Sequence, residues 1–228
     1  MKKIIFALFA HPDDEAFGPS ATLLLEARAG AELHLILLTS GDGGTNPDNH
    51  DDLGAVRLRE WRAAGARMNA HAMHYLGYKD GQLNNHSMIE INQRVIELIT
   101  PIIKDTPADT VIEFITNDLN GVTGHIDHIV AARAACQVFY SMKQHDQRFR
   151  RLRMSCLARE DAPNMNTNWL YMEAGRAADE IDEIIDARSV RDDITQIIRA
   201  HHTQRADGEY HITRRGDRLG LDHFIVKT

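Results

Sequence analysis

Cysteine is scarce in this chain. Its 228 residues include two, Cys136 and Cys156, set among apolar neighbours and without C-x-x-C spacing. They read as small buried hydrophobes and point to a reducing compartment. Positive charge is short as well: 26 Lys and Arg against 33 Asp and Glu leave a formal charge of −7. Such a chain has no general attraction for phosphate backbones, so no nucleic-acid partner is expected. No apolar run approaches membrane-spanning length, so no membrane partner is expected either. Lys2-Lys3 and the run after them mimic the start of a signal peptide. That run is short, however, and leads into His-Pro-Asp-Asp rather than a small-residue cleavage site. The expectation is a soluble, cytoplasmic protein, with a homo-oligomer left open. Linkers, internal repeats and low-complexity tracts are also missing, which argues for one domain over residues 1–228.

What is present is ordinary globular composition, 43% hydrophobic and 26% charged, in a chain long enough to bury a real core. Lys3–Phe9, Glu32–Thr39 and Thr110–Thr116 are continuous apolar runs of strand length, as buried parallel strands require. His71–Leu76 is a shorter one. Between them, Ser20–Ala29, Asp51–Met68 and Ser87–Lys104 have helical composition or spacing, and Ile129–Ala135 is rich in alanine. Pro101 predicts a kink or early end in the third of these. The alternation predicts an α/β fold, a Rossmann-like three-layer sandwich with a mostly parallel sheet. After about residue 145 the rhythm changes, so residues 1–145 form the core and 146–228 a C-terminal elaboration. Short strands are expected in Leu152–Leu157, Asp182–Arg188 and His223–Lys227, a loop over Asp161–Asn168 and a helix over Arg191–His202. The basic stretch Arg148–Arg153 reads as a solvated face. His34, His71 and His74 read as strand or edge histidines, Trp61 and Trp169 as packing.

The organising stretch is Ala10-His11-Pro12-Asp13-Asp14-Glu15, at the end of the first apolar run. Open α/β sheets put their sites at such strand ends. His11 and Asp14, three apart, can be aimed at one point by a helical turn, while Asp13 must point elsewhere. A His/Asp pair suits zinc, and a second carboxylate suits a base acting on water. Beyond Thr116 the pattern recurs: Gly124-His125-Ile126-Asp127-His128 leads into the alanine-rich helix. One of these imidazoles completes a His-Asp-His site, the other stays free near substrate, and Asp127 suits an orienting role. The loop Ser40–Pro47 is glycine-rich but lacks P-loop and G-x-G-x-x-G spacing, and reads as a flexible rim.

With both motifs in view, the chain resembles the PIG-L/LmbE-like zinc-dependent N-deacetylases. Supporting matches are T-S-G-D after the second strand, Arg57-x-x-Glu60, Leu76-Gly77-Tyr78-x-Asp80-Gly81 and Ala200-His201-His202-Thr203-Gln204. The resemblance implies Zn2+, with Fe2+ as a substitute, on His11, Asp14 and His128. It implies Asp13 as general base. A positively charged His125 would hold the oxyanion or protonate the leaving amine, and Asp127 would orient His125. Arg57 and Asp80 would contact sugar hydroxyls, and His201 and Gln204 would line the site. Ile126 stands where the family usually has Pro. The implied activity is metal-dependent hydrolysis of an acetyl group from an N-acetylglucosamine-type sugar or conjugate, a small-molecule substrate. The alternatives are an amidohydrolase for non-sugar acylated amines and a non-enzymatic α/β binding module.

Overall fold

The computed structural model describes residues 1–162 and 174–228. Trp169 and most of the stretch expected to form a loop, Asp161–Asn168, lie outside the described residues. Strand β1 (Lys3–Phe9) shows why the sheet needs unbroken apolar runs. Its Ile4, Phe6 and Leu8 enter one core cluster, and Ile5, Ala7 and Phe9 enter the other. Parallel to it on one side runs β2 (Glu32–Thr39), followed by β3 (Ala72–Tyr78); on the other runs β4 (Val111–Asn117), followed by β5 (Phe149–Cys156). Strands are thus added outward from β1 in one direction and then in the other. That reversal leaves a crevice at the carboxyl ends of β1 and β4.

The helices are α1 (Asp14–Phe17), α2 (Ser20–Arg28), α3 (Leu53–Arg67), α4 (Asn85–Lys104), the single turn α5 (Gly121–Gly124), α6 (Ile126–Lys143), α7 (Arg191–Arg199) and α8 (Arg205–Arg215). One face of the sheet is covered by α4 and α6, and the other by α2, α3 and α7 through Leu23, Leu24, Trp61, Ala64 and Ile197. This is the expected three-layer α/β architecture. Helix α4 buries Ile91, Val95, Ile99 and Ile103, one stripe at i, i+4 spacing. Each such side chain contributes about 1.5–3 kcal/mol relative to exposure. An Asn84/Ser87 capping box starts this helix. The early end that Pro101 suggests does not occur: the helix continues through it to Lys104. Pro101 and Glu97 lie on the exposed face, so the Glu97 carbonyl that Pro101 cannot bond faces water, while Ile99 and Ile103 hold the last turn to the core.

The C-terminal third departs from the parallel pattern. Strand β7 (Leu221–Lys227) runs antiparallel to β5, and β6 (Glu183–Asp186) antiparallel to β7, giving the order β3-β2-β1-β4-β5-β7-β6. The helix expected over Arg191–His202 stops at Arg199, and α8, not anticipated, follows a 3-10 turn at His202–Gln204. The basic stretch is not a solvated face. Arg153 is 1% exposed and donates to Glu26 (2.7 Å) and Glu113 (2.6 Å), while Lys3 completes the network on both carboxylates. Arg151 pairs with Glu183 of β6, and Arg148 with Asp146. Alternation decides this, since residues 151 and 153 share one face of β5 and meet the acids of α2, β4 and β6. Among the described residues, no helix is long and apolar enough to cross a membrane.

Candidate active site

The first turn folds Asp14 back under the end of β1. The backbone N–H groups of Ala10 and His11 donate to Asp14 Oδ2 at 3.1 and 3.0 Å. Asp13 between them has φ 112°, a left-handed backbone that costs a non-glycine residue about 1–3 kcal/mol and persists only where its surroundings enforce it. Here Glu15 Oε2 accepts the Asp13 N–H (3.2 Å), and Arg57 Nη2 donates to Asp13 Oδ2 (2.8 Å). Burial pushes the Asp13 carboxyl up to about 6, against the lowering by Arg57.

Arg57, on α3, is itself buried. Its Nη1 donates to the Gly41 carbonyl (2.7 Å) and its Nη2 to that of Pro12 (2.6 Å). A Cβ at Gly41 or Gly44 would collide with the guanidinium. The 40–47 loop, whose Gly44 lines the cavity, wraps closely around Arg57. Its glycines serve approach, not phosphate.

The second turn brings His128 opposite His11. His11 Nδ1 and His128 Nε2 face each other at 2.9 Å, with Asp14 Oδ1 3.1 Å from His128 Nε2 and Asp14 Oδ2 3.9 Å from His11 Nδ1. Donor atoms around a zinc-sized ion, with bonds of about 2.0–2.2 Å, stand about 3–3.5 Å apart. This donor set fits such an ion. Its orientation is fixed from outside: His128 Nδ1 lies 3.0 Å from the Gly121 carbonyl, which holds the ring with Nε2 inward. Charge agrees with geometry. Burial opposes a charged His11, yet Asp127, Asp80 and Asp14 hold its proton up to about 10. Burial likewise opposes ionisation of Asp14, but His128 and His11 keep its carboxyl well below the usual range. The pocket calls for a cation.

His125 also offers a ring nitrogen within 4.8 Å of those of His11 and His128. Its Nδ1 accepts the Asp127 backbone N–H (3.2 Å), so the free position, Nε2, carries the proton. Burial, with the neighbouring imidazoles, lowers its pKa. Nε2 is an N–H donor whether the ring is neutral or charged. The Asp127 carboxylate does not reach His125 as expected. It accepts from Gly81 N (2.8 Å) and Leu83 N (3.1 Å) and lies 3.4 Å from His11 Nε2. Asp80 Oδ1 is nearer to that nitrogen, at 2.9 Å, and Asp80 Oδ2 accepts from Gly43 N. Both acids stand behind His11 and outside the cavity lining, where the expectation put Asp80 on sugar hydroxyls.

The cavity measures about 420 Å³, with His11, Asp13, Asp14, Arg57, His125 and His128 on one wall. A second part of its lining includes Phe17 of α1 and Tyr210, His211 and Arg214 of α8. His211 stacks on Phe17, ring centroids 5.9 Å apart. None of these four was singled out from the sequence. Gln204 lines the cavity and bonds Thr45 through both ends of its amide (2.9 Å each). His201 does not line it; fully buried, it bonds Glu15 at 2.8 Å and so backs the Asp13 turn. Missed too was the role of Glu60, whose carboxylate accepts from Thr203 N (2.9 Å) and Oγ1 (2.6 Å). Its i, i+3 spacing from Arg57 was the available signal.

A family model described as PIG-L, GlcNAc-PI de-N-acetylase, matches residues 6–139. A probable N-acetyl-α-D-glucosaminyl L-malate deacetylase 2 of Bacillus subtilis (strain 168) is 24% identical over 209 residues, covering 90% of this chain and 84% of its own. A 1D-myo-inositol 2-acetamido-2-deoxy-α-D-glucopyranoside deacetylase of Acidothermus cellulolyticus is 31% identical over 155 residues, 58% of this chain. The chain spans only 52% of that relative's length. Two solved structures share the fold. N,N'-diacetylchitobiose deacetylase from Pyrococcus horikoshii matches with TM-score 0.70 and 16% identity, over 99% of this chain and 84% of its own. GalB, the 4-carboxy-2-hydroxymuconate hydratase of Pseudomonas putida KT2440, matches with TM-score 0.67 and 14% identity, over 100% and 97%. These last two names describe different reactions, so the fold alone does not select one.

Proposed function

The chain belongs to the PIG-L, GlcNAc-PI de-N-acetylase family, and from that premise we propose that it hydrolyses the acetamide of an N-acetylglucosamine-type sugar or conjugate. The products are acetate and a free amine. The observation that carries the reading is Asp13: a half-buried carboxylate on the cavity wall, tethered by Arg57 and adjacent to the donor set without belonging to it. Deacetylases among both the relatives and the solved structures support the choice of reaction.

His11, Asp14 and His128 would hold a divalent ion, zinc or iron, which when bound would supply Lewis acidity toward the acetamide carbonyl and acidify water. Asp13 accepts the proton of the attacking water as its oxygen bonds to the carbonyl carbon. His125, through Nε2–H, donates to the oxyanion of the tetrahedral intermediate, a role worth about 3 kcal/mol in comparable sites. Asp13 then returns its proton to the nitrogen as the C–N bond breaks. Arg57 and Glu15 keep Asp13 in place throughout; Asp80 and Asp127 do the same for His11.

The test is amine release from N-acetylglucosamine and a panel of its conjugates, with and without chelator, beside non-sugar acetamides. Chelator-sensitive release from the sugars is expected. Metal-loaded protein that cleaves only non-sugar amides would overturn the substrate assignment. Loaded protein that cleaves none would overturn the activity.

A further inference from the structure

At the other end of the sheet a second group of ligand-type side chains remains, and the catalytic reading uses none of it. Glu32 is the first residue of β2, His34 its third, and His71 immediately precedes β3. A carboxylate oxygen of Glu32 and one ring nitrogen each of His34 and His71 lie within 4.8 Å of one another. His34 pairs in register with Phe6, five residues before His11. At about 3.3 Å per residue that separates the two groups by roughly 16 Å along the sheet.

His34 is the telling member. It is 3% exposed, and its Nε2 is buried without a hydrogen-bond partner. Its Nδ1 lies 3.2 Å from His74 Nε2, and the two rings stack at 7°. With His74 accepting from Nδ1–H, the lone pair of His34 sits on Nε2, as the outer partner of a metal-binding histidine arranges it. A buried imidazole nitrogen with nothing to bond carries a desolvation penalty, and an ion removes it. The His71 ring, 5.2 Å from that of His34, is exposed, which leaves a route in from solvent. The Glu32 carboxylate holds Lys2 at 2.9 Å through Oε1, which a flexible lysine can yield.

We propose that Glu32, His34 and His71 form a second, peripheral site for a divalent transition ion, with His74 orienting His34. Two imidazoles and one carboxylate are a borderline donor set, suited to zinc and its neighbours rather than to calcium or magnesium. The site joins the start of β2 to the start of β3, the edge strand, and a bound ion staples that edge without touching the cavity.

The test is zinc stoichiometry by metal analysis after gel filtration, with calorimetric titration of the same samples. The expected result is two zinc ions per wild-type chain and one in His128→Ala. His71→Ala should keep one ion with its hydrolytic activity unchanged, and Glu32→Gln should weaken the second equivalent at least tenfold. Added zinc should also raise the melting temperature of His128→Ala, but not that of His128→Ala/His71→Ala. Failure of the cavity reading would show as one ion in wild type, kept by His128→Ala and lost by His71→Ala, and would leave the peripheral site standing. A His128→Ala protein that is folded by circular dichroism and binds no zinc would overturn it, as would an unchanged stoichiometry in His71→Ala.

Discussion

The two walls of the cavity are built by different rules. One wall comes from residues 1–145, where parallel strands β1 and β4 deliver His11, Asp13, Asp14, His125 and His128 from two strand-to-helix turns. Each of these side chains is pinned by backbone groups, buried ions or both. The other wall comes from Phe17 and the C-terminal third, where Tyr210, His211 and Arg214 project from a helix packed on α7 and 3-10 turns. There His211 stacks on Phe17, Arg214 donates to the Asp161 and Ala162 carbonyls, and Arg215 pairs with Asp161. On the proposed reaction the difference would separate two duties: the first wall would position reacting atoms, and the second would meet whatever the acetamide is attached to.

That division can be broken experimentally, most severely at the donor set. His128→Ala should empty the cavity site of metal and reduce hydrolysis to background, read by metal analysis and amine release. Asp13→Asn should keep that metal and lose about 10²–10⁴-fold in kcat, the range for a general base. An inactive Asp13→Asn protein that has also lost this metal would erase the distinction between ligand and base. Arg153→Ala tests the seam between the two regions, since Arg153 of β5 is buried against Glu26 and Glu113. Leaving those carboxylates to Lys3 alone should lower stability in denaturant unfolding by less than the ~3–5 kcal/mol of a fully unpaired buried charge, with the active fraction keeping its kcat.

The smallest effect is expected on the second wall. His211→Ala should raise KM for a sugar conjugate about tenfold, roughly the 1.4 kcal/mol of one stacking contact, with kcat and metal content unchanged. His211→Phe sharpens the point through pH. Burial pushes the His211 pKa down to about 4 from 6.5. A depressed folded-state pKa contributes stability that is complete above 6.5 and is lost as pH falls through 4. His211→Phe should therefore lose less melting temperature than wild type between pH 7 and pH 4.

The same contrast explains what could be read without coordinates. Lys3–Phe9, Glu32–Thr39 and the strand before Asn117 announce themselves because a strand buried on both faces is mostly apolar, with few polar exceptions such as His34 and Glu113. His11 stands out because it follows such a run almost directly, and His128 because it repeats the His/Asp pattern at the helix start beyond the last of them. Helix α8 does not announce itself: Arg205–Arg215 buries only Gly208 and Arg215, so it has no apolar stripe to detect. Arg153 misleads for a related reason, since its burial depends on Glu26, Glu113 and Lys3, which arrive from three distant segments. Asp80 and Asp127 are legible as site residues but not in their tasks, because nothing local to either indicates that both back onto His11.

Exchange of C-terminal regions between relatives is an obvious way to move substrate preference from one enzyme to another. The bonds from Gln204 to Thr45 and from Thr203 to Glu60 make such a graft anything but modular. Glu60 lies one helical turn from Arg57, Arg57 holds Asp13, and the loop that carries Thr45 wraps the same guanidinium. A chimera joined anywhere after residue 145 inherits a foreign partner for each of these contacts. Its recipient loop at 40–47 and helix at 53–67 therefore have to travel with the transplanted third if the base is to stay aligned.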